Sequence, residues 1–430
     1  MRSFTSTRGS DSAGLREALM RGLASDGGLY VPEEIGRLPD FPSALATESP
    51  VAVAQWAAPA LFPEVAPESL RRVVEEALTF PIPLVPVEPD IHVLELFHGP
   101  TYAFKDVGAR FLARLLVVLD GGDRMRTVLV ATSGDTGGAV ADAFHGLDAF
   151  RVLALFPRDG ISSRQRRQMT TLGGNVTALA VDGTFDDCQR LAKEAFLDLD
   201  MRERWSLMSA NSINVGRLLP QCLYYVYAAA KLGWREPSAR FVVPSGNLGN
   251  LCAGLIAKRM GMPSTGFIAA SNVNRGFVEF LETGCFEARP VIATASSAMD
   301  VGEPSNLERI LWFCDGDLTG LRRDIVGHSV TDEQARRCMA DVYHRTGYVL
   351  DPHTAVAFEA AQRHHRGSGE PTIVLATAHP AKFPDFVQAV IGREPALPRG
   401  LVRAMEAEEQ MMEAPPSLAA LRQVLEEVAA

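Results

Sequence analysis

Cysteine is scarce and scattered: the 430 residues hold six, at positions 188, 222, 252, 285, 314 and 338, with no C-x-x-C pair and no histidines at zinc spacing. That pattern excludes a disulfide scaffold and gives no reason to expect a metal, so the cysteines read as buried thiols. No stretch approaches the roughly 18 uninterrupted apolar residues of a membrane span. The opening Met1-Arg2-Ser3-Phe4-Thr5-Ser6-Thr7-Arg8-Gly9 also lacks the apolar segment of a secretion signal. The expectation is a soluble, cytoplasmic protein with no membrane partner. Basic runs are missing as well, and the net charge of -10 argues against general nucleic-acid binding. An acidic protein can still hold an anionic ligand in a locally positive pocket. Neither an internal repeat nor a low-complexity segment appears, apart from the prolines at 395, 398, 415 and 416.

What is present is a change of rhythm. Up to about residue 90, proline and glycine punctuate helical stretches over 12–23, 51–60 and 67–78. From there, short apolar runs alternate with amphipathic helices: a strand over 92–97, a helix from Lys105 to 119, then strands over 127–131, 151–156 and 175–181. Strands alternating with helices predict parallel sheets with right-handed crossovers. A long helix carrying Leu218, Leu219, Cys222, Leu223 and Val226 on one face runs toward Lys231, and Gly233 with Pro237 marks a boundary. The pattern restarts at Phe241 and ends on a strand over 372–376, before a last helix over 418–428. The fold class is therefore α/β: two open, mostly parallel sheets with flanking helices. The expected regions are 1–90, 91–235, 236–400 and a helical tail over 401–430.

Chemistry concentrates in loops. In His98-Gly99-Pro100-Thr101-Tyr102-Ala103-Phe104-Lys105-Asp106 a lysine stands at the start of a helix, where unpaired N–H groups disfavour a cation. Either its stem merely covers apolar surface, or Tyr102 and Phe104 desolvate the amine and prepare it as a nucleophile for a Schiff base. Pro244-Ser245-Gly246-Asn247-Leu248-Gly249-Asn250 leads from a strand into a helix and suits a phosphate held by backbone dipoles. It has neither Walker A nor G-x-G-x-x-G spacing, and a plain helix cap explains it equally well. Thr132-Ser133-Gly134-Asp135-Thr136-Gly137 offers hydroxyls and backbone donors for a carboxylate, with Asp135 the awkward member unless it accepts from a phenol or an ammonium. Asn211-Ser212-Ile213-Asn214-Val215-Gly216-Arg217 mixes amide, hydroxyl and guanidinium, and the arginine fork matches phosphate. Thr377-Ala378-His379-Pro380-Ala381-Lys382-Phe383 lies at the carboxyl end of a parallel strand, where such sheets place ligands.

Together with Asp26-Gly27-Gly28-Leu29-Tyr30-Val31-Pro32, these loops, in this order, resemble threonine synthase, of the pyridoxal-phosphate fold type II (tryptophan synthase β-like) group, over nearly the whole chain. The resemblance implies that Lys105 binds pyridoxal 5'-phosphate covalently and then acts as base. It implies that the backbone of Gly246, Asn247, Leu248, Gly249 and Asn250 holds the cofactor phosphate, and that Thr377 meets the pyridine nitrogen. Asp135 stands where fold type II relatives often carry asparagine against the ring oxygen. For the substrate O-phospho-L-homoserine, the resemblance implies a carboxylate grip at Thr132, Ser133 and Thr136 and a phosphate site at Asn211, Ser212 and Arg217. The implied reaction is γ-elimination of phosphate followed by β-addition of water, a carbon–oxygen lyase activity in a monomer or homodimer. The competing reading is a phospholyase that releases a 2-oxoacid, ammonia and phosphate from a related substrate.

Overall fold

Largely apolar strands build two mostly parallel sheets in the computed structural model, which describes residues 4–120, 124–234, 238–365 and 369–429. Gly266–Ser271 and Thr372–Ala376 are buried at every position, as strands covered by helices on both faces must be. They belong to a six-stranded sheet in the order Ile325–Ser329, Gly266–Ser271, Arg240–Pro244, Thr372–Ala376, Ile91–Glu95, Leu84–Glu88. Every neighbour in it is parallel except the last pair. The second sheet is parallel throughout: Met412–Ala414, Val176–Val181, Phe150–Pro157, Arg126–Ala131, Leu207–Met208.

Both sheets reverse their winding once. Successive strands step away from Arg240–Pro244 in one direction while Thr372–Ala376 lies on its other side. Likewise Phe150–Pro157 and Leu207–Met208 flank Arg126–Ala131. Ligands of open α/β sheets bind at the carboxyl ends of strands beside such switch points. The loops after residues 131, 208, 244 and 376 emerge there, and they are four of the five loops singled out from sequence; the fifth, with Lys105, follows the neighbouring strand Ile91–Glu95.

Four local expectations are corrected. Ser12 and Ala13 pair as a strand with Phe4–Ser6, so the first helix is only Leu15–Arg21. The long helix ahead of Lys231 is broken into Val215–Leu218, a tight turn Leu219–Gln221 and Cys222–Lys231, because Pro220 has no N–H to continue the ladder. Ile91–Glu95, expected with the first α/β unit, hydrogen-bonds beside Thr372–Ala376 in the sheet of the second. The tail is not wholly helical, since Met412–Ala414 adds an edge strand before the helix Leu418–Ala429. Residues 235–237, where the boundary at Pro237 was expected, lie outside the described residues.

Four of the six cysteines are buried, Cys314 is half-buried and Cys285 is exposed; all are free thiols. No helix among the described residues is long and apolar enough to cross a membrane. Helix Cys222–Lys231, apolar almost all round, packs between Pro50–Leu61 and Gly249–Arg259 and ties the N-terminal helices to the sheet core.

Candidate active site

Lys105 opens its helix, Lys105–Asp120, because the preceding turn is clamped from both sides. Asp106, fully buried, accepts from the Thr101 N–H at 2.9 Å and from the Thr101 hydroxyl at 2.5 Å. Tyr102 adopts a left-handed φ of 59°, a strained choice for a bulky residue that turns the chain into the helix. The Phe104 N–H then donates to the Thr377 carbonyl (2.8 Å), and the His379 N–H to the Tyr102 carbonyl (3.0 Å). The Tyr102 hydroxyl accepts from the Gly400 N–H at 2.9 Å.

The Lys105 side chain keeps 16% of its surface exposed, so a packed stem delivers the amine to an opening. Its Nζ lies 3.7 Å from an Asp135 carboxylate oxygen and 5.1 Å from the Phe104 ring centre. Burial pushes the amine below the usual lysine range; Asp135 opposes this, and the positive charges of Lys382 and Arg217 reinforce it. The neutral, nucleophilic form is thereby favoured.

Asp135 accepts from Lys382 at 2.6 Å and from the Gln165 amide at 2.9 Å. Burial alone would raise its pKa, but Lys382 and Lys105 outweigh that and hold the carboxyl well below its ordinary range. This resolves the awkward acid in a hydroxyl-rich loop: it accepts from an ammonium. Thr132 is corrected from a substrate grip to a loop brace. Its hydroxyl accepts from the N–H groups of Gly134 (3.0 Å) and Gly137 (2.8 Å) and donates to the Gly134 carbonyl, which leaves it no valence for a ligand. Ser133 is exposed and Thr136 half-buried.

Arg217 is buried on the short helix Val215–Leu218, and the Lys105 helix approaches so closely that a Cβ on Gly108 would stand 2.6 Å from the Arg217 carbonyl. One guanidinium nitrogen donates to the Ala210 carbonyl at 2.8 Å, while Nε has no partner. Asn211 Oδ1 is likewise buried and unpaired. Burial pushes the guanidinium down to about 10, with Asp106 pulling the other way. Among the described residues no ion pair joins Arg217 to a carboxylate, and the planar fork of a buried guanidinium suits an anionic group.

Helix Gly249–Arg259 begins after Leu248, whose φ of 60° is left-handed. Its first backbone bond runs from the Cys252 N–H to the Leu248 carbonyl, so the N–H groups ahead of Cys252 face an anion-binding helix terminus. The Asn247 amide donates to the Ser212 hydroxyl at 2.6 Å and accepts from the Ser305 N–H at 2.7 Å, joining this loop to the one that carries Arg217. The hydroxyls of Tyr224 and Tyr225 both meet Asn250 Oδ1 at 2.7 Å and leave its Nδ2 unpaired. A Cβ on Gly246 would lie 2.7 Å from the Ala298 carbonyl and 2.8 Å from Met299 Cα. Gly246→Val is therefore expected to displace this loop and weaken retention of an anion on it at least about tenfold, measured by equilibrium titration with pyridoxal phosphate.

The Lys105, Asp135, Thr377 and Arg217 loops thus converge, with the Gly246–Asn250 loop tied to the last of them. Reasoning from sequence missed Lys382, Gln165 and Arg309. Lys382 lay inside a quoted motif, and its place just past a strand end was the available signal. Arg309, fully buried, donates to the carbonyls of Tyr30, Ser212 and Ile213 and to Asn306 Oδ1, bracing the Asn211–Asn214 segment; nothing in its local sequence marks it.

His379 accepts from the Ala381 N–H through Nδ1, and burial pushes it down to about 4, with His98 adding to the effect. A base with a depressed folded pKa contributes stability above its unfolded value that is lost as pH falls toward the folded one. Between pH 7 and 4 the protein should lose about 2 kcal/mol more than His379→Asn does, after allowance for the partly exposed ring, as read from chemical denaturation at the two pH values.

Chemically, an amine held below its usual pKa, a helix N-terminus rich in backbone donors and a buried guanidinium suit covalent handling of a substrate bearing a phosphate. Comparison with known proteins agrees. Residues 80–378 match the family described as pyridoxal-phosphate dependent enzyme, residues 3–78 the threonine synthase N terminus, and residues 354–425 the threonine synthase C-terminal region. The chain is 40% identical to the threonine synthase of Escherichia coli (strain K12) over 412 residues, 95% of each protein. The threonine synthase of Haemophilus influenzae is 42% identical over 391 residues, 90% of each. A crystal structure of threonine synthase from Brucella melitensis with bound pyridoxal phosphate superposes with a TM-score of 0.94 at 38% identity, covering 100% of this chain and 99% of that one. The amine, the anion sites and these likenesses meet in one conclusion: the chain belongs to the threonine synthase family of pyridoxal-phosphate dependent enzymes.

Proposed function

We propose that this site converts O-phospho-L-homoserine and water to L-threonine and phosphate, with Lys105 as the lysine that captures pyridoxal phosphate. The observation that carries the reading is the buried guanidinium of Arg217, in no ion pair among the described residues, within electrostatic reach of the depressed amine of Lys105. The residues present fit the cofactor: Lys105 offers an amine, and the Gly246–Asn250 loop offers backbone donors and the unpaired Asn250 Nδ2 to an anionic group. Bound there, pyridoxal phosphate supplies an aldehyde for an amine and a ring that withdraws electrons from an amino acid attached to it.

In this reading the neutral Nζ of Lys105, released when the substrate amine takes its place, removes the Cα proton and later returns it. Arg217, with Asn211 and Ser212, holds the substrate phosphate and steadies it as it leaves Cγ with its bonding electrons. Cβ gives up one proton and gains the hydroxyl of water, Cγ gains a proton and becomes the methyl group, and the second proton of the water ends on the released phosphate. Ser133 and Thr136 hold the substrate carboxylate, and Asp135 and Thr377 are the residues that would meet the cofactor's ring oxygen and ring nitrogen. A hydroxyl at Thr377, unlike a carboxylate, does not enforce ring protonation, which moderates electron withdrawal. The same reading assigns a cytoplasmic location and a monomer or homodimer.

Borohydride reduction followed by peptide mapping tests the assignment of the lysine. The expected result is a pyridoxyl mass on Lys105 alone; the same mass on Lys382 with Lys105 unmodified would overturn it.

A further inference from the structure

We propose that Lys382 is a positioning residue: a fixed counter-cation that occupies the Asp135 carboxylate, so that an acid can stand beside Lys105 without locking that amine in a salt bridge. The inference rests on Lys105 being the cofactor lysine. The Asp135 carboxylate has two ammonium neighbours, and they are unequal. Lys382 Nζ meets Oδ1 at 2.6 Å, within hydrogen-bond range, whereas Lys105 Nζ stands 3.7 Å from Oδ2. Asp135 therefore belongs to Lys382 first and to Lys105 second.

The surroundings fix that order. The Lys382 side chain has 0% exposure, against 16% for Lys105, so one lysine is sealed in place while the other faces the opening. A second Lys382 proton goes to the Thr101 carbonyl at 2.8 Å, which also accepts from the Gln168 amide at 3.0 Å. Thr101 in turn clamps Asp106, the residue after Lys105. Gln165 supplies the remaining donor to Asp135 Oδ1 at 2.9 Å. One ammonium thus joins three loops, those after strands Ile91–Glu95, Arg126–Ala131 and Thr372–Ala376, at the point where Lys105 emerges.

A lysine buried this completely is rare unless paired, and an uncharged pair of similar volume would stabilise the fold equally well. Retaining both charges is useful if a carboxylate is wanted near the cofactor but a locked Lys105 is not. Removing Lys382 alone hands Asp135 to Lys105, while removing Asp135 alone leaves Lys382 an orphaned buried cation. Removing both restores balance. The charged groups facing Lys105 are then Arg217 and, next to it in sequence, Asp106, neither of which is altered.

The test is a cycle of Lys382→Met, Asp135→Asn and the double variant in the holoenzyme, following kcat/KM, melting temperature and the pH midpoint of the visible band of the bound cofactor. Lys382→Met should lower kcat/KM about 100-fold and raise the midpoint by about one pH unit or more. Adding Asp135→Asn should return the midpoint to within about half a unit of wild type and recover at least about tenfold in kcat/KM. A double variant no better than Lys382→Met, or an unmoved midpoint in Lys382→Met, would leave the pair a structural staple and overturn the proposal. If Lys382→Met does not fold, Asp135→Asn and the double variant decide: the double should melt higher because the orphaned cation is gone, and a lower melting temperature refutes the idea. That comparison does not depend on Lys105. Failure of the Lys105 reading shows separately, as the absence of a reducible link at Lys105 in the wild type.

Discussion

Lys105→Ala is expected to abolish turnover, by about 10⁴-fold or more, because one substitution removes both the nucleophile that holds the cofactor and the base that moves the Cα proton. The fold should survive. The Lys105 side chain keeps some exposure and its amine stands 3.7 Å from Asp135, which keeps its closer bond to Lys382. Melting temperature should therefore shift by no more than a few degrees while the visible band and its borohydride-reducible link disappear. Retained turnover would contradict the role given to Lys105. The sequence puzzle of a cation at the positive end of a helix has the same resolution: burial and the neighbouring charges of Lys382 and Arg217 disfavour the ammonium, and the reaction needs the amine.

Arg217→Met carries the second large effect, with opposite signs in two measurements. Losing the charge-assisted grip on the leaving phosphate should lower kcat/KM by about 10²–10³, most of it in KM for O-phosphohomoserine if the phosphate is held equally in ground and transition state. Stability should rise by about 1 kcal/mol or more, because a desolvated guanidinium with one carbonyl partner and an idle Nε burdens the ligand-free protein. Loss of activity together with a lower melting temperature would make Arg217 a structural residue instead. The trade follows from local charge balance. In a protein of net charge -10, Lys105, Lys382 and Arg217 gather around Asp135 and around Asp106, whose carboxyl burial pushes up to about 6. The pocket is positive where the molecule is not, and it attracts anions that the rest of the surface repels.

Much of this was legible before any coordinates. The alternation of apolar runs with amphipathic helices gave the α/β class, and the loops offered as the candidate site were legible because each follows a strand and starts or precedes a helix. What escaped notice was what depends on neighbours far along the chain. Thr132 looked like a ligand-gripping hydroxyl because its valences are filled only by the curl of its own loop at Gly134 and Gly137. The hydroxyl partner of Tyr102, Gly400, lies almost three hundred residues away and could not be read locally. Lys382 looked like one lysine in a proline-bounded motif until the strand order brought it against Asp135. Ile91–Glu95 follows the N-terminal region yet pairs with Thr372–Ala376, a long-range register that no local pattern encodes.

The most direct test of the central claim is to supply purified enzyme with O-phospho-L-homoserine and identify the carbon product. The account predicts L-threonine and phosphate in equal amounts, with no accumulation of 2-oxobutanoate. Formation of 2-oxobutanoate and ammonia with phosphate, and little threonine, would show that water and protons take the phospholyase route and would contradict it.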